Sequence, residues 1–163
     1  MPAYSLVLRA ATLEGCTLAA ADAPAFPLRI KFACAACREA FPKFAVLSLA
    51  DEKAEVPGGR GAATFVARCG ACKGAGSADV VSVSGAALAA AAPGGSLRLA
   101  ELECRGLEPV GFQAGDGFRV ASAAGAAAWE GVSFLEEEAF CEYDEAAEAS
   151  VEVSGVTGEF EKK

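Results

Sequence analysis

Two short cysteine pairs constrain this chain more than any other feature. Cys34-Ala-Ala-Cys37 and Cys69-Gly-Ala-Cys72 are separated by thirty-one residues. Two thiolates three positions apart on a tight turn can both reach one ion at about 2.3 Å, and a second such turn completes a tetrahedron. The sequence holds no histidine. A metal site must therefore be built from thiolates or carboxylates, and a Ser-His-Asp or Cys-His catalytic arrangement is excluded. Four cysteine ligands leave no open position for water. The spacing thus points to a closed Zn²⁺ centre that clamps two loops, not to a hydrolytic one.

The remaining cysteines do not suggest a disulfide framework. The total of seven is odd, and four of them are in metal-type pairs. Residues 1–9 lack the basic start and long apolar stretch of a secretory signal. A reducing, cytoplasmic setting is expected, with Cys16 and Cys141 as ordinary thiols and Cys104 as a buried one. Hydrophobic residues make up 53% of the chain. Much of that is alanine, so the core must come from the ten Phe and the Leu, Val and Ile set. No run approaches the roughly 20 apolar residues of a bilayer-spanning helix. The net charge of -8 is uneven, with +3 over residues 1–100 and -11 over 101–163. An acidic second half repels phosphate backbones, so nucleic acid is not an expected partner.

Taken in order, the chain reads as strands. Tyr4 to Arg9 is rich in Leu and Val, and Thr12 to Phe26 is looser. In residues 28–34 Leu28, Ile30, Phe32 and Cys34 share one face, so a strand delivers the chain into the first cysteine turn. Phe44 to Leu49 follows. Phe65, Ala67 and Cys69 alternate into the second turn, and a Val/Ser strand, Asp79 to Ser84, leaves it. Gly58-Gly59-Arg60-Gly61 has the glycine content of an anion-cradling loop, but no Lys-Ser/Thr pair follows, and a flexible turn explains it better. Ala86 to Gly95 reads as a linker. From Leu97 to Cys104 the alternation slips near Ala100, as a β-bulge would make it. Short strands are expected around Phe112, Phe118 and 132–135. One or two helical turns are expected over Glu142 to Ala149, and then a closing strand pair, 151–153 and 156–160.

The two halves look alike. Leu28-Arg-Ile leads to Cys34, and Leu97-Arg-Leu leads to Cys104. The steps Cys34 to Cys69 and Cys104 to Cys141 are thirty-five and thirty-seven residues. In the second half the positions three beyond each cysteine hold Leu107 and Asp144. The expectation is an all-β protein of two pseudosymmetric antiparallel halves, 1–93 and 94–163. The zinc knuckles lie in the first, and the second is acidic and lacks a complete metal site.

Lys31, Arg38, Arg68 and Lys73 lie within three positions of a cysteine and could offset the negative charge of a tetrathiolate centre. Backbone N–H groups could also point at sulfur, eased by Gly70 and Gly74. Two other uses of the pairs stay open. One is handling of a thiophilic ion. The other is a dithiol redox site, which the short Arg38-Glu-Ala-Phe-Pro42 segment disfavours because thioredoxin-like pairs begin a long helix.

The cysteine pairs, Gly58 to Gly61, Glu103-Cys-Arg-Gly-Leu-Glu-Pro-Val110 with Phe112, and residues 143–151 (YDEAAEASV) carry a resemblance over nearly the full length. The chain resembles the eukaryotic CXXC-motif-containing zinc-binding protein family. The resemblance implies an all-β fold of two pseudosymmetric halves, zinc held by Cys34, Cys37, Cys69 and Cys72, and no known enzymatic activity. The alanine-rich linker and Cys141 depart from the family pattern. The expected function is a soluble zinc-binding adaptor, monomeric, with another protein as partner and no membrane. Arg105, Gly106, Leu107, Glu108 and Pro109 form a possible interaction surface. Against that, Gly106 could serve a special backbone angle, Pro109 a strand end, and Arg105 an ion pair with Glu103 or Glu108.

Overall fold

Alternating apolar residues favour strands over helices throughout. The computed structural model describes residues 2–55, 61–89, 95–123 and 127–163, and no α-helix occurs among them. In chain order the strands are β1 (Ala3–Glu14), β2 (Cys16–Ala20), β3 (Leu28–Cys34), β4 (Ala45–Leu47), β5 (Ala54–Glu55), β6 (Ala62–Ala63), β7 (Phe65–Arg68) and β8 (Ala75–Val83). They continue as β9 (Leu88–Ala89), β10 (Ser96–Arg105), β11 (Leu107–Gln113), β12 (Phe118–Ser122), β13 (Ala128–Val132), β14 (Ala139–Asp144) and β15 (Ala149–Lys162).

The main sheet has six strands in the order β14-β15-β1-β10-β8-β7. Two smaller sheets, β11-β3-β4 and β13-β12-β2-β9, and the β5-β6 pair complete the described fold. Exchanging β1 with β10, β8 with β15 and β7 with β14 leaves the main order unchanged. The same exchange turns β4-β3-β11 into β13-β12-β2. Each smaller sheet also crosses residue 93, because β11 lies beside β3 and β12 beside β2.

The inward faces of these sheets meet in one core that includes Leu6, Leu8, Leu18, Leu28, Ile30, Leu99 and Leu102, all fully buried. Phe118 packs edge-on against Phe26 and Phe134, with ring centroids 5.0 and 5.3 Å away. The expected bulge is present. Leu99 and Ala100 are buried in succession, and against β1 the register steps from Ala100 opposite Leu6 to Arg98 opposite Val7.

Three expectations change. The looser stretch after Thr12 contains a strand, β2, whose Cys16, Leu18 and Ala20 face inward while Thr17 and Ala19 are half-buried. Small side chains had hidden the alternation. The expected helical turns over 142–149 reduce to one tight turn between β14 and β15. The closing pair is one strand: Gly155, at φ +62°, passes beside Ala11 while β15 stays paired with β1 on either side. Of the glycine loop, residues 58–60 lie outside the described residues. So do residues 90–94 of the linker, whose described part supplies β9, paired with β2.

Candidate metal centre

Each cysteine turn begins where an inward-facing strand ends. Phe32 on β3 and Phe65 on β7 stack with centroids 5.2 Å apart and planes 13° from parallel. That apolar contact brings the two strand ends, and so the two turns, side by side. The turns share one hydrogen-bond pattern. Cys34 N donates to Glu39 O (2.8 Å) and Arg38 N donates to Cys34 O (2.8 Å). In the second turn, Cys69 N donates to Gly74 O (2.8 Å) and Lys73 N donates to Cys69 O (3.0 Å). The left-handed residue that lets each turn close is Arg38, at φ +68°, and Lys73, at φ +65°. Neither Gly70 nor Gly74, the residues expected to ease the turns, adopts it.

The four sulfurs converge. Their Sγ atoms all lie within 4.8 Å of one another. The cross-turn pairs Cys34–Cys72 and Cys37–Cys69 are 3.6 and 3.5 Å apart. A tetrahedron with Zn–S bonds of about 2.3 Å has edges of about 3.8 Å, so the set fits a zinc ion with little rearrangement. Cys34 and Cys69 are buried, whereas Cys37 and Cys72 are exposed. Among the described residues this is the only group of three or more potential ligands that gathers in this way.

The backbone prepares the buried sulfurs for the thiolate form. N–H groups of Cys37 and Ala36 draw the Cys34 pKa down, and those of Cys72 and Ala71 draw Cys69 down to about 7. Cys37 behaves oppositely. Its N–H contact from Glu39 favours the thiolate, but Cys69, burial and the other two sulfurs outweigh it and push the pKa up to about 12. Cys34 and Cys69 thus ionise readily while Cys37 resists, and a divalent cation favours the thiolate form of every sulfur it binds.

The flanking cations turn away from the sulfurs. Arg38 pairs with Glu108 at 3.0 Å, and Arg68 donates to Lys73 O at 2.9 Å. Lys73 donates to Gly70 O at 3.0 Å, and Lys31 lies 5.8 Å from the Phe44 ring centroid. They brace the turns, while backbone dipoles act on the sulfur charge.

The Arg105–Val110 run packs against both turns. Gly106, at φ +74°, accepts a hydrogen bond from Ala35 N (3.1 Å), and a Cβ on it would stand 2.9 Å from Ala75 O. Leu107 and Pro109 are buried, and Leu107 fills the space beside Gly76. Pro109 lies within β11, opposite Phe32 and next to a register shift at Val110, so it does not end the strand. As an edge strand, β11 tolerates a residue without an N–H. Glu108 takes Arg38, not Arg105, as its ion-pair partner, and Arg105 is exposed. Cys104 is fully buried, which pushes its pKa up to about 12, and Cys141 is exposed.

Between the two turn-bearing segments lies an apolar cleft of about 320 Å³, walled by Phe41, Phe44 and Phe65 and edged by Lys43 and Arg68. No sequence pattern pointed to it, because its walls come from segments far apart in the chain.

Comparison with known proteins gives one consistent answer. The model of the family described as CXXC motif containing zinc binding protein, eukaryotic, matches residues 6–161. The human and mouse proteins of that name are each 34% identical over 152 residues, covering 93% of this chain and 94% of theirs. The crystal structure of C1orf123 superposes with a TM-score of 0.83 at 32% identity, covering 99% of both chains. A hypothetical protein from Plasmodium falciparum shares the fold, with a TM-score of 0.77 at 18% identity over the whole of both chains.

Proposed function

We propose that this chain, which belongs to the eukaryotic CXXC motif containing zinc binding protein family, holds one Zn²⁺ through Cys34, Cys37, Cys69 and Cys72 and works by protein contact rather than by catalysis. The convergence of four sulfurs from two turns carries the reading. Four protein ligands close the coordination sphere, so the ion fixes geometry and activates no water. What it fixes is the pairing of the segment after β3 with the end of β7, and so the two walls of the phenylalanine cleft. Lys43 and Arg68 at its edge lack a carboxylate partner among the described residues. An apolar pocket with unpaired cations at its rim matches a protein segment that carries an aromatic or aliphatic anchor flanked by carboxylates.

The test is binding of a fluorescent peptide with a central Phe between Glu and Asp residues to the zinc-loaded and chelated protein. Binding that needs zinc, and weakens in Phe44→Ala and in Lys43→Glu, supports this reading. Equal binding with and without zinc removes the cleft from the function.

The exposure of Cys37 and Cys72 favours a second reading, handling of a thiophilic ion, because an incoming thiol reaches two of the four ligands directly. Metal transfer to a competing chelator within minutes, with the fold intact, would support it. Zinc that leaves only on unfolding would support the purely structural role.

A further inference from the structure

The exchange of strands that leaves the main sheet order unchanged carries the two cysteine turns onto two other turns, after β12 and after β14. The correspondence holds bond by bond. Ser122 N donates to Ala127 O (2.9 Å), the same five-residue step that Cys34 N makes to Glu39 O. Ala123 N donates to Gly15 O (2.9 Å), as Ala35 N donates to Gly106 O (3.1 Å). Gly15 and Gly106 both have positive φ, +68° and +74°, and a Cβ on either would strike a carbonyl, Ser150 O at 2.8 Å or Ala75 O at 2.9 Å. Ser150 lies six positions after Asp144, and Ala75 six after Cys69. In the last turn Ala146 N and Ala147 N donate to Asp144 Oδ1 (3.1 and 3.3 Å), as the N–H groups of Ala71 and Cys72 address the Cys69 sulfur. Glu148 then takes the left-handed conformation (φ +51°) that Lys73 takes.

Ser122 and Asp144 thus stand where Cys34 and Cys69 stand at the other end. The pairing differs from the one the cysteine spacing suggests, since Cys104 and Cys141 lie within β10 and β14 and begin no turn. In sequence, the positions three beyond Ser122 and Asp144 are Gly125, outside the described residues, and Ala147, neither with a ligand side chain. Two side chains and inward-pointing N–H groups do not make a four-ligand metal site. Ser122 is 8% exposed and Asp144 2%. Ser122 Oγ and Asp144 Oδ2 are both buried and both without a hydrogen-bond partner, and the hydroxyl lies near enough to be the first influence holding the carboxyl down. Each lacks what the other offers, since a hydroxyl can donate and a carboxylate accepts.

We infer that Ser122 and Asp144 form a metal-free clamp, the counterpart of the cysteine centre, and that it keeps the frame folded while loss of zinc loosens only the cysteine end. The fold then works as a metal-responsive device. Zinc loss opens the two cysteine turns and the phenylalanine cleft between their segments, and the rest of the sheet stays closed.

Amide exchange of the full chain, followed by NMR with and without a high-affinity zinc chelator, tests this. After chelation the amides of Cys34, Arg38, Cys69 and Lys73 are expected to exchange at least about tenfold faster, and those of Ser122, Ala123, Ala146 and Ala147 by less than about threefold. Ser122→Ala and Asp144→Asn are expected to invert the pattern in the zinc-loaded protein, at an unchanged one zinc per chain. Only the chelation arm rests on the zinc reading, so a chain that binds no zinc would still be judged by the variants. Chelation that speeds both sets alike, or variants that lose zinc or leave the Ser122 and Ala146 regions unchanged, would overturn the inference.

Discussion

The two ends of the molecule solve one problem with different chemistry. At each, two strand-ending turns must be tied although they lie far apart in sequence, and each turn presents backbone N–H groups to a leading side chain. With cysteine leading, and a second cysteine three positions on, four sulfurs crowd together and a divalent ion relieves them. With serine and aspartate leading, the N–H groups already stabilise the single negative charge, and a buried hydroxyl lies beside it. The turn is therefore common to both ends, and the metal is one way of tying it. Only the metal end can respond to chelators.

The largest expected difference between the ends comes from the leading side chains. Cys34→Ser should abolish stoichiometric zinc and lower the melting temperature by about 10 °C or more, since a structural site adds several kcal/mol to folding. Metal analysis and calorimetry check both. Asp144→Asn should lower the melting temperature less and leave zinc at one per chain. Equal losses would mean that the two clamps share one cooperative unit.

The glycine corners sharpen the comparison because they are matched. Gly15→Ala and Gly106→Ala each force a Cβ against a carbonyl at positive φ, so each should cost about 1–3 kcal/mol. Denaturant unfolding of the two variants should give similar values. A marked inequality would show that the correspondence between the corners is only geometric.

Acid separates the ends in another way. Asp144 is held below its ordinary value of 3.8 by the Ser122 hydroxyl and then by the N–H groups of Ala147 and Ala146, against the opposing effect of burial. A carboxyl lowered by folding adds stability that is complete above its unfolded pKa and is lost as pH falls through its folded one. In chelated protein, stability should therefore fall below about pH 4, and Asp144→Asn should flatten that part of the curve. The smallest effect belongs to the exposed pair of Arg38 and Glu108. Arg38→Ala should cost under about 1 kcal/mol and leave zinc binding intact.

Much of this was legible in the chain before its structure. The four cysteines identify themselves by spacing, and the phase slip at Ala100 marks its bulge, because local alternation reports directly which side chains face inward. Other features were not. β2 escaped notice because alanine and threonine blur the alternation. The Ser122–Asp144 pair has no motif at all: serine and aspartate are ordinary turn residues, and only the matching backbone hydrogen bonds show which positions they share with Cys34 and Cys69. The Arg105–Val110 run was conspicuous in sequence, yet the contacts of Gly106, Leu107 and Glu108 with the two cysteine-turn segments could not be read from it. Nor could the phenylalanine cleft, since Phe41 and Phe65 are brought together by a long-range contact.

By itself the sequence determined the all-β class, the closed thiolate chemistry and the absence of histidine-based catalysis, since each depends on residue type and short spacing. Only the tertiary structure decided which turns correspond, which cations leave the sulfurs, and how strands from both sides of residue 93 share their sheets. Those depend on antiparallel pairing between segments far apart in the chain, and long-range pairing is fixed by the summed fit of whole faces rather than by any local signal.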